Sequence, residues 1–275
     1  MNILDKIIAH KREEVEARKQ IVPETELRQT IYFNRACLSL KLNLLKQNTT
    51  GIIAEFKRKS PSKGFINQYA EVATITNAYT QFGASGLSVL TDNEFFGGST
   101  EDLVKARANE IPILRKDFII DRYQILASKA MGADVILLIA ACLSTAEVKK
   151  LASFAKETGL EVLLELHDET EIDHICDDVD MVGINNRNLK TFQVDMSRSL
   201  KLAEKIPADK VKIAESGIDS IETIRQFKEA GFKGFLMGEK FMKEADPGLA
   251  FDKFVESLNQ SYITPEVRTE KKTNF

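Results

Sequence analysis

The chain has no tryptophan, three cysteines and six prolines in 275 residues. Cys37, Cys142 and Cys176 stand far apart, with neither CxxC spacing nor an even count. A disulfide framework or zinc site is therefore not expected, and a reducing cytoplasm fits best. The three histidines, His10, His167 and His174, share no ligand spacing. HxH and HExxH do not occur, so no transition-metal site is expected. No apolar run approaches the roughly 20 residues of a membrane span, and the opening MNILDKIIAHKREE turns charged too early for a signal peptide. An excess of one charge is missing too, since 38 basic and 41 acidic side chains are interspersed for a net charge of -3. That balance leaves no electrostatic footprint for nucleic acid or an anionic membrane, so a small-molecule ligand has to be captured by local groups.

What is present suits one large core, with 43% hydrophobic and 29% charged residues, and barrels of roughly 250 residues are commonly one domain. Between residues 4 and 18, Leu4, Ile7, Ile8 and Val15 fall near helical spacing, predicting an amphipathic helix whose apolar stripe needs a cover. Pro23 stops it; a weaker helical pattern runs over 24–46, and Asn48, Thr49, Thr50 and Gly51 break the chain. Eight short apolar runs then alternate with helical patterns, at 52–56, 86–90, 112–114, 134–139, 161–166, 181–184, 211–214 and 234–237. Starts roughly 20 to 35 residues apart leave room for one crossover helix each, the rhythm of a parallel sheet. In QFGASGLSVL, AMGADVILLI and EAGFKGFLMG a glycine follows a helical segment and precedes a strand, which suits a left-handed helix C-cap. An open doubly wound sheet shares this local pattern, but eight units favour closure. The expected fold class is α/β, a single (β/α)8 TIM barrel over 49–259 with an N-terminal helical extension over 1–48. Residues 260–275 lose periodicity and read as a frayed tail.

In such a barrel the C-terminal ends of all strands meet on one face, where active sites are built. Glu55 and Lys57, two apart in IAEFKRKSPSKG, project to the same side. PILRKDF leads to Lys116, EVLLELH to Glu165, VGINNRNL to Asn185 and Arg187, and IAESGI to Glu215. Three carboxylates and two lysines thus converge on one mouth. Rim salt bridges could account for any one of them, but burying five such charges costs several kcal/mol per ion unless they are well paired. Close packing of acids and bases also shifts pKa values, the means by which a lysine serves as an acid and a glutamate as a base near neutral pH.

Ser216-Gly217 and Gly238-Glu239 follow the last two strands, where barrels commonly hold phosphate on backbone N–H groups beside a short helix. Glu239 can contribute only its N–H there, since its carboxylate repels an anion. Phe96 and Phe118 suit an aromatic slot, with Leu137 and Leu189 as an apolar wall, although each alone reads equally as packing. His167 shares a side with Glu165 only if the strand continues, and is read as a loop residue. Two lysines in the mouth argue against a carboxylate-bound divalent ion.

The runs IAEFKRKSPS, VLTDNEFFGGS, PILRKDFIIDRYQI, VLLELH, GINNRNL, IAESGI and FLMGEKFM resemble the successive strand-end signatures of indole-3-glycerol-phosphate synthases, over roughly residues 4–258. The N-terminal extension is similar to the family's extra helix, which partly covers the active-site mouth. Departures are Lys63 between Ser62 and Gly64, Asn186 after Asn185, and a longer tail. The resemblance implies a carboxy-lyase of tryptophan biosynthesis. Its substrate would be an anthranilate-derived sugar phosphate, 1-(2-carboxyphenylamino)-1-deoxyribulose 5-phosphate, closed to an indole with loss of carbon dioxide and water. No cofactor and no metal are implied, and other enzymes of the tryptophan pathway are the further partners it allows.

By the same resemblance Lys116 is the acid at the ketone oxygen, while Glu165 and Lys57 are base and acid of the dehydration. Glu55, Asn185 and Glu215 orient the lysines and sugar hydroxyls. Ser60 and Arg187 hold the sugar-phosphate end with Ser216, Gly217, Gly238 and Glu239, and Phe96, Phe118, Leu137 and Leu189 hold the anthranilate ring. Other readings stay open: a Schiff-base lyase using Lys57 or Lys116, a phosphoribosylanthranilate isomerase, and a barrel that binds a sugar phosphate without turnover.

Overall fold

Alternation along eight short strands determines the architecture, seen in a computed structural model that describes residues 3–187 and 193–263. The strands are β1 (Ile52–Phe56), β2 (Gly86–Leu90), β3 (Ile113–Lys116), β4 (Val135–Ile139), β5 (Glu161–Leu166), β6 (Met181–Asn185), β7 (Val211–Glu215) and β8 (Gly234–Met237). Each pairs in parallel with its sequence neighbours, and β8 pairs with β1, so the sheet closes into a TIM barrel with no free edge. Ile53, Leu114, Leu137, Leu163, Met181, Ile213 and Leu236 form one buried cluster inside the barrel. Their neighbours one residue along, such as Ile52, Ala54, Ile136, Leu138, Leu164, Val182 and Ala214, belong to a second cluster shared with the outer helices. A period of two therefore divides each strand between two cores.

Three strands differ from the sequence expectation where it matters most. β3 reaches Lys116, β6 reaches Asn185 and β7 reaches Glu215, so these polar residues are paired in the ladder one or two positions past the apolar runs. Asn185 sits in register with Glu215, and Lys116 with Leu90. The apolar pattern ends before the strands do, because the inward side chain turns polar where the barrel opens.

The N-terminal extension comprises α1 (Ile3–Ile21), α2 (Glu24–Leu27) and α3 (Leu40–Leu45). The expected helix over 24–46 is thus only two short pieces, because the chain between them is held by the barrel. Asp134 binds the Arg35 guanidinium at 2.5 Å and accepts the Leu38 N–H at 2.8 Å, and Ser39 donates to the Glu161 carboxylate while capping α3. These tertiary bonds outweigh the weak helical pattern. Leu40 and Leu44 then enter the cluster inside the barrel and close its lower end. Gly86 makes this possible, since a Cβ there would lie 2.7 Å from a Leu40 methyl.

Outside the strands run α4 (Val72–Gln81), α5 (Thr100–Ala106), α6 (Arg122–Met131), α7 (Thr145–Glu157), α8 (Met196–Ala203), α9 (Ile221–Glu229), α10 (Glu239–Met242) and α11 (Pro247–Ile263). The three glycines of the repeated pattern, Gly83, Gly132 and Gly231, have φ of 90°, 91° and 86°, the left-handed conformation expected after a helix. α11 continues to Ile263, past the point where periodicity fades, and residues 264–275 lie outside the described residues. A two-stranded hairpin of Lys59–Ser60 with Gly64–Phe65 in the loop after β1 was not expected. Among the described residues no helix is long and apolar enough to cross a membrane.

Truncating the lower plug should affect stability and not the opposite end of the barrel. Leu40→Ala removes a fully buried side chain, and a loss of about 2 to 5 kcal/mol is expected from urea unfolding. An unchanged urea midpoint would show that α3 does not close the core.

Candidate active site

At the C-terminal ends of the strands lies a cavity of about 320 Å³ lined by Glu55, Lys57, Ser60, Phe96, Lys116, Phe118, Leu137, Glu165, Asn185, Arg187, Glu215, Ser216, Gly217, Gly238 and Glu239. The structure thus gathers the residues singled out from the strand ends; Leu189 alone lies outside the described residues. α1 contributes Ile3, Leu4 and Ile7 to the wall, so the extension that plugs the barrel below also borders its mouth above. Phe96 and Phe118 face each other with centroids 6.1 Å apart and planes tilted by 38°, beside buried Leu137.

Charge in the cavity is organised around Lys116. Its Nζ lies 2.6 Å from Glu215 Oε2 and 3.0 Å from Glu165 Oε2. The second oxygen of Glu165 accepts from Asn185 Nδ2 at 3.0 Å, and Lys57 forms a separate pair with Glu55 at 2.6 Å. Gly183, opposite Glu165 in the ladder, leaves the space that the Glu215 carboxylate fills, and a Cβ would collide with it. Gly238 does the same for Glu55, whose carboxylate would lie 2.8 Å from an added Cβ.

Burial works against the Lys116 ammonium, but the charges of Glu165, Glu215 and Glu55 outweigh it and raise the pKa. Two carboxylates at contact distance thus hold it charged. Burial also opposes ionisation of Glu165, yet Lys116, His167 and Asn185 keep its pKa well below the usual value. Glu215 goes the other way, pushed up to about 7 by burial and by the nearby Glu165 charge, against the pull of Lys116. Two carboxylates on one ammonium thus divide into an ionised one and one that titrates near neutrality.

The cavity is also lined by Ser216, Gly217, Gly238 and Glu239, which follow β7 and β8. Ser216 and Gly217 both have left-handed backbones, with φ of 66° and 71°. For serine this is a strained conformation of the kind found at functional sites. Buried Asn186 holds it, donating through Nδ2 to the Ser216 carbonyl at 2.7 Å and through its backbone N–H to the Glu215 carbonyl at 2.9 Å. The Ser60 hydroxyl is buried without a hydrogen-bond partner among the described residues. α10, which opens after Gly238, has only four residues, so its dipole is weak. Glu239 is compensated from both sides, paired with Lys63 of the unexpected hairpin and 3.7 Å from the Arg187 guanidinium. Burial raises its pKa, but these cations bring it down overall.

A family model for indole-3-glycerol phosphate synthase matches residues 4–254. The chain belongs to that family. Indole-3-glycerol phosphate synthase of Bacteroides thetaiotaomicron is 48% identical over 258 residues, covering 94% of this chain and 99% of the relative. That of Bordetella pertussis is 42% identical over 262 residues, covering 92% and 99%. In fold alone the chain is similar to the solved structure of KGPDC from Streptococcus mutans. The TM-score is 0.59 at 12% identity, covering 77% of this chain and 98% of that one.

Beyond the strand-end residues, this barrel carries an ionic layer that the sequence reading missed. Lys11, 1% exposed in the middle of the apolar stripe of α1, lies 2.9 Å from Asp92 and 3.0 Å from Asp117. Burial opposes its charge, but both aspartates raise its pKa. Asp117 is also paired with Arg115 at 2.8 Å; burial would raise its pKa, but Arg115 and Lys11 bring it down to about 2. This cluster fastens α1 to the residue after Lys116. The available signal was the spacing Ile7, Lys11, Val15, which puts a lysine on the buried face. No group of His, Cys, Asp and Glu among the described residues is placed to hold a metal ion.

The division between the two carboxylates is measurable in the free protein. With glutamate carboxyl carbons labelled, one resonance should titrate at about 7 and vanish in Glu215→Gln. If every glutamate has finished titrating by about pH 5, within the ordinary carboxylate range, the charge arrangement is wrong.

Proposed function

We propose that the chain closes 1-(2-carboxyphenylamino)-1-deoxyribulose 5-phosphate to indole-3-glycerol phosphate, releasing carbon dioxide and water. The observation that carries this reading is the Lys116 ammonium held between Glu165 and Glu215 in one cavity with the Phe96–Phe118 pair and the left-handed Ser216-Gly217 turn. Family membership supports it.

The substrate's phosphate binds the N–H groups of the Ser216-Gly217 and Gly238-Glu239 turns, with Ser60 and Arg187 beside them, and its aromatic ring enters between Phe96 and Phe118. The ring carbon bearing the carboxylate then bonds to the ketone carbon. Lys116 donates a proton to the ketone oxygen as charge builds there, in a site where a fixed ammonium acts more strongly than in water. The carbon–carboxylate bond breaks, carbon dioxide leaves, and its electron pair restores the aromatic ring. Glu165 next removes a proton from the adjacent carbon, and Lys57 protonates the departing hydroxyl, which leaves as water. Glu55 orients Lys57, while Asn185 and Glu215 orient Glu165 and Lys116. Leu137 completes the wall around the ring.

A Schiff-base mechanism is less well supported, because a nucleophilic lysine must be neutral and Lys116 is held protonated by its two carboxylates. An isomerase using a strand-end cysteine is also disfavoured. Cys142, just past β4, does not line the cavity, and burial with Glu165 and Glu171 nearby pushes its thiol pKa up. We further assign the enzyme to the cytoplasm, acting on a small molecule, with other tryptophan-pathway enzymes as candidate partners.

Purified protein mixed with this substrate, without added metal, should develop indole fluorescence. Lys116→Ala should lose about a hundredfold or more in kcat, in the range of a lost general acid, and borohydride should trap no adduct. Absence of product from folded wild-type protein would leave a binding barrel as the better reading.

A further inference from the structure

His167 lies just past the end of β5, two residues after Glu165, and the loop turns its ring toward that carboxylate. Its side chain is 9% exposed. Nε2 lies 3.1 Å from Glu165 Oε1, and neither ring nitrogen makes a hydrogen bond among the described residues. Nδ1 lies 3.7 Å from Glu171 Oε2. The backbone N–H of His167 donates to that same Glu171 oxygen at 2.6 Å, fixing the loop that carries the ring.

We propose that His167 is a positioning residue for Glu165, a second cation that clamps one oxygen of this carboxylate while Lys116 engages the other. This rests on the reading of Glu165 as the base of the dehydration step. When Lys116 gives its proton to the ketone oxygen, Glu165 loses the positive partner on its Oε2 side. Asn185 offers only a neutral donor, and Glu215 adds negative charge. Without another cation, buried Glu165 would take up a proton and be lost as a base. His167 remains on the far side of the carboxylate, outside the exchange with substrate, and keeps it ionised until it is needed.

The groups around the imidazole suit that task. Glu165 and Glu171 face its two nitrogens, and Asp168 adds charge from the loop; Lys116 and Glu215 lie beyond Glu165 on β3 and β7, and the Cys142 thiol, past the end of β4, lies near both glutamates and is kept neutral by burial. Burial lowers the basicity of the ring, but the two glutamates outweigh it and raise the His167 pKa to about 9. A purely structural pair is a weaker account, because His167 joins residues only two and four positions away and ties no distant elements together.

Two measurements test the proposal. Histidine NMR of the free wild-type protein, with the signal assigned by its loss in His167→Gln, should show a midpoint well above the ordinary 6.5 that falls in Glu165→Gln. A midpoint at or below 6.5 overturns the proposal whether or not the protein turns over substrate. If wild type forms product, the acid limb of kcat in His167→Gln should move up by about one pH unit, with KM little changed and partial recovery in His167→Lys. A lower melting temperature with an unmoved acid limb would make His167 merely structural. Failure of wild type to form product would count against the proposed reaction, and the NMR titration would still decide the ion pair.

Discussion

The Lys116 ammonium lies between Glu215 and Glu165 at 2.6 and 3.0 Å, all three side chains largely removed from water, and the mouth of the barrel is arranged around that triad. Buried charges of this kind are weak contributors to stability and are tolerated only when well paired. The pairing here needs the closed sheet. Lys116, Glu165 and Glu215 come from alternate strands, β3, β5 and β7, and reach one point only because the barrel turns their inward faces toward each other. Space comes from glycine, since a side chain at Gly183 would occupy the position of the Glu215 carboxylate. An electrostatic requirement at the mouth thus reaches back to the choice of a residue without a side chain in β6.

The N-terminal segment serves both ends of that barrel. Below, Leu40 and Leu44 fill the open end of the inner core, and the chain leading to them is fastened to Asp134 and Glu161. Above, Lys11 fastens α1 to Asp92 and Asp117, next to Lys116 in sequence. Because Asp117 is shared between Lys11 and Arg115, the position of α1 and the strand end that carries Lys116 are coupled through one buried carboxylate. Substrate access and the placement of the proposed acid therefore have a common anchor.

Strand positions and the inward side chains Glu55, Lys116, Glu165 and Glu215 were legible because period-two patterning, strand length and glycine punctuation are local properties. What was not legible depended on partners distant in sequence. The stretch 24–46 carries a helical pattern, but Arg35, Leu38 and Ser39 are bound by carboxylates about a hundred residues away. Lys11 went unread, because its place on the buried face of α1 does not name its distant partners Asp92 and Asp117. His167 was correctly placed in a loop, but its contact with Glu165 depends on how that loop folds back through Glu171. The direction of the Lys116 shift required distances, since residue types alone do not show whether burial or neighbouring charge prevails.

If Glu165 and Glu215 act through one ammonium, their effects on the chemical step are coupled. The direct measurement is a double-mutant cycle on single-turnover rates with Glu165→Gln, Glu215→Gln and the double variant. The account predicts strong non-additivity, the double variant being little slower than the slower single variant, with a coupling above about 1 kcal/mol as expected for residues in one charge network. Additive losses would contradict the central place given to the Lys116 triad.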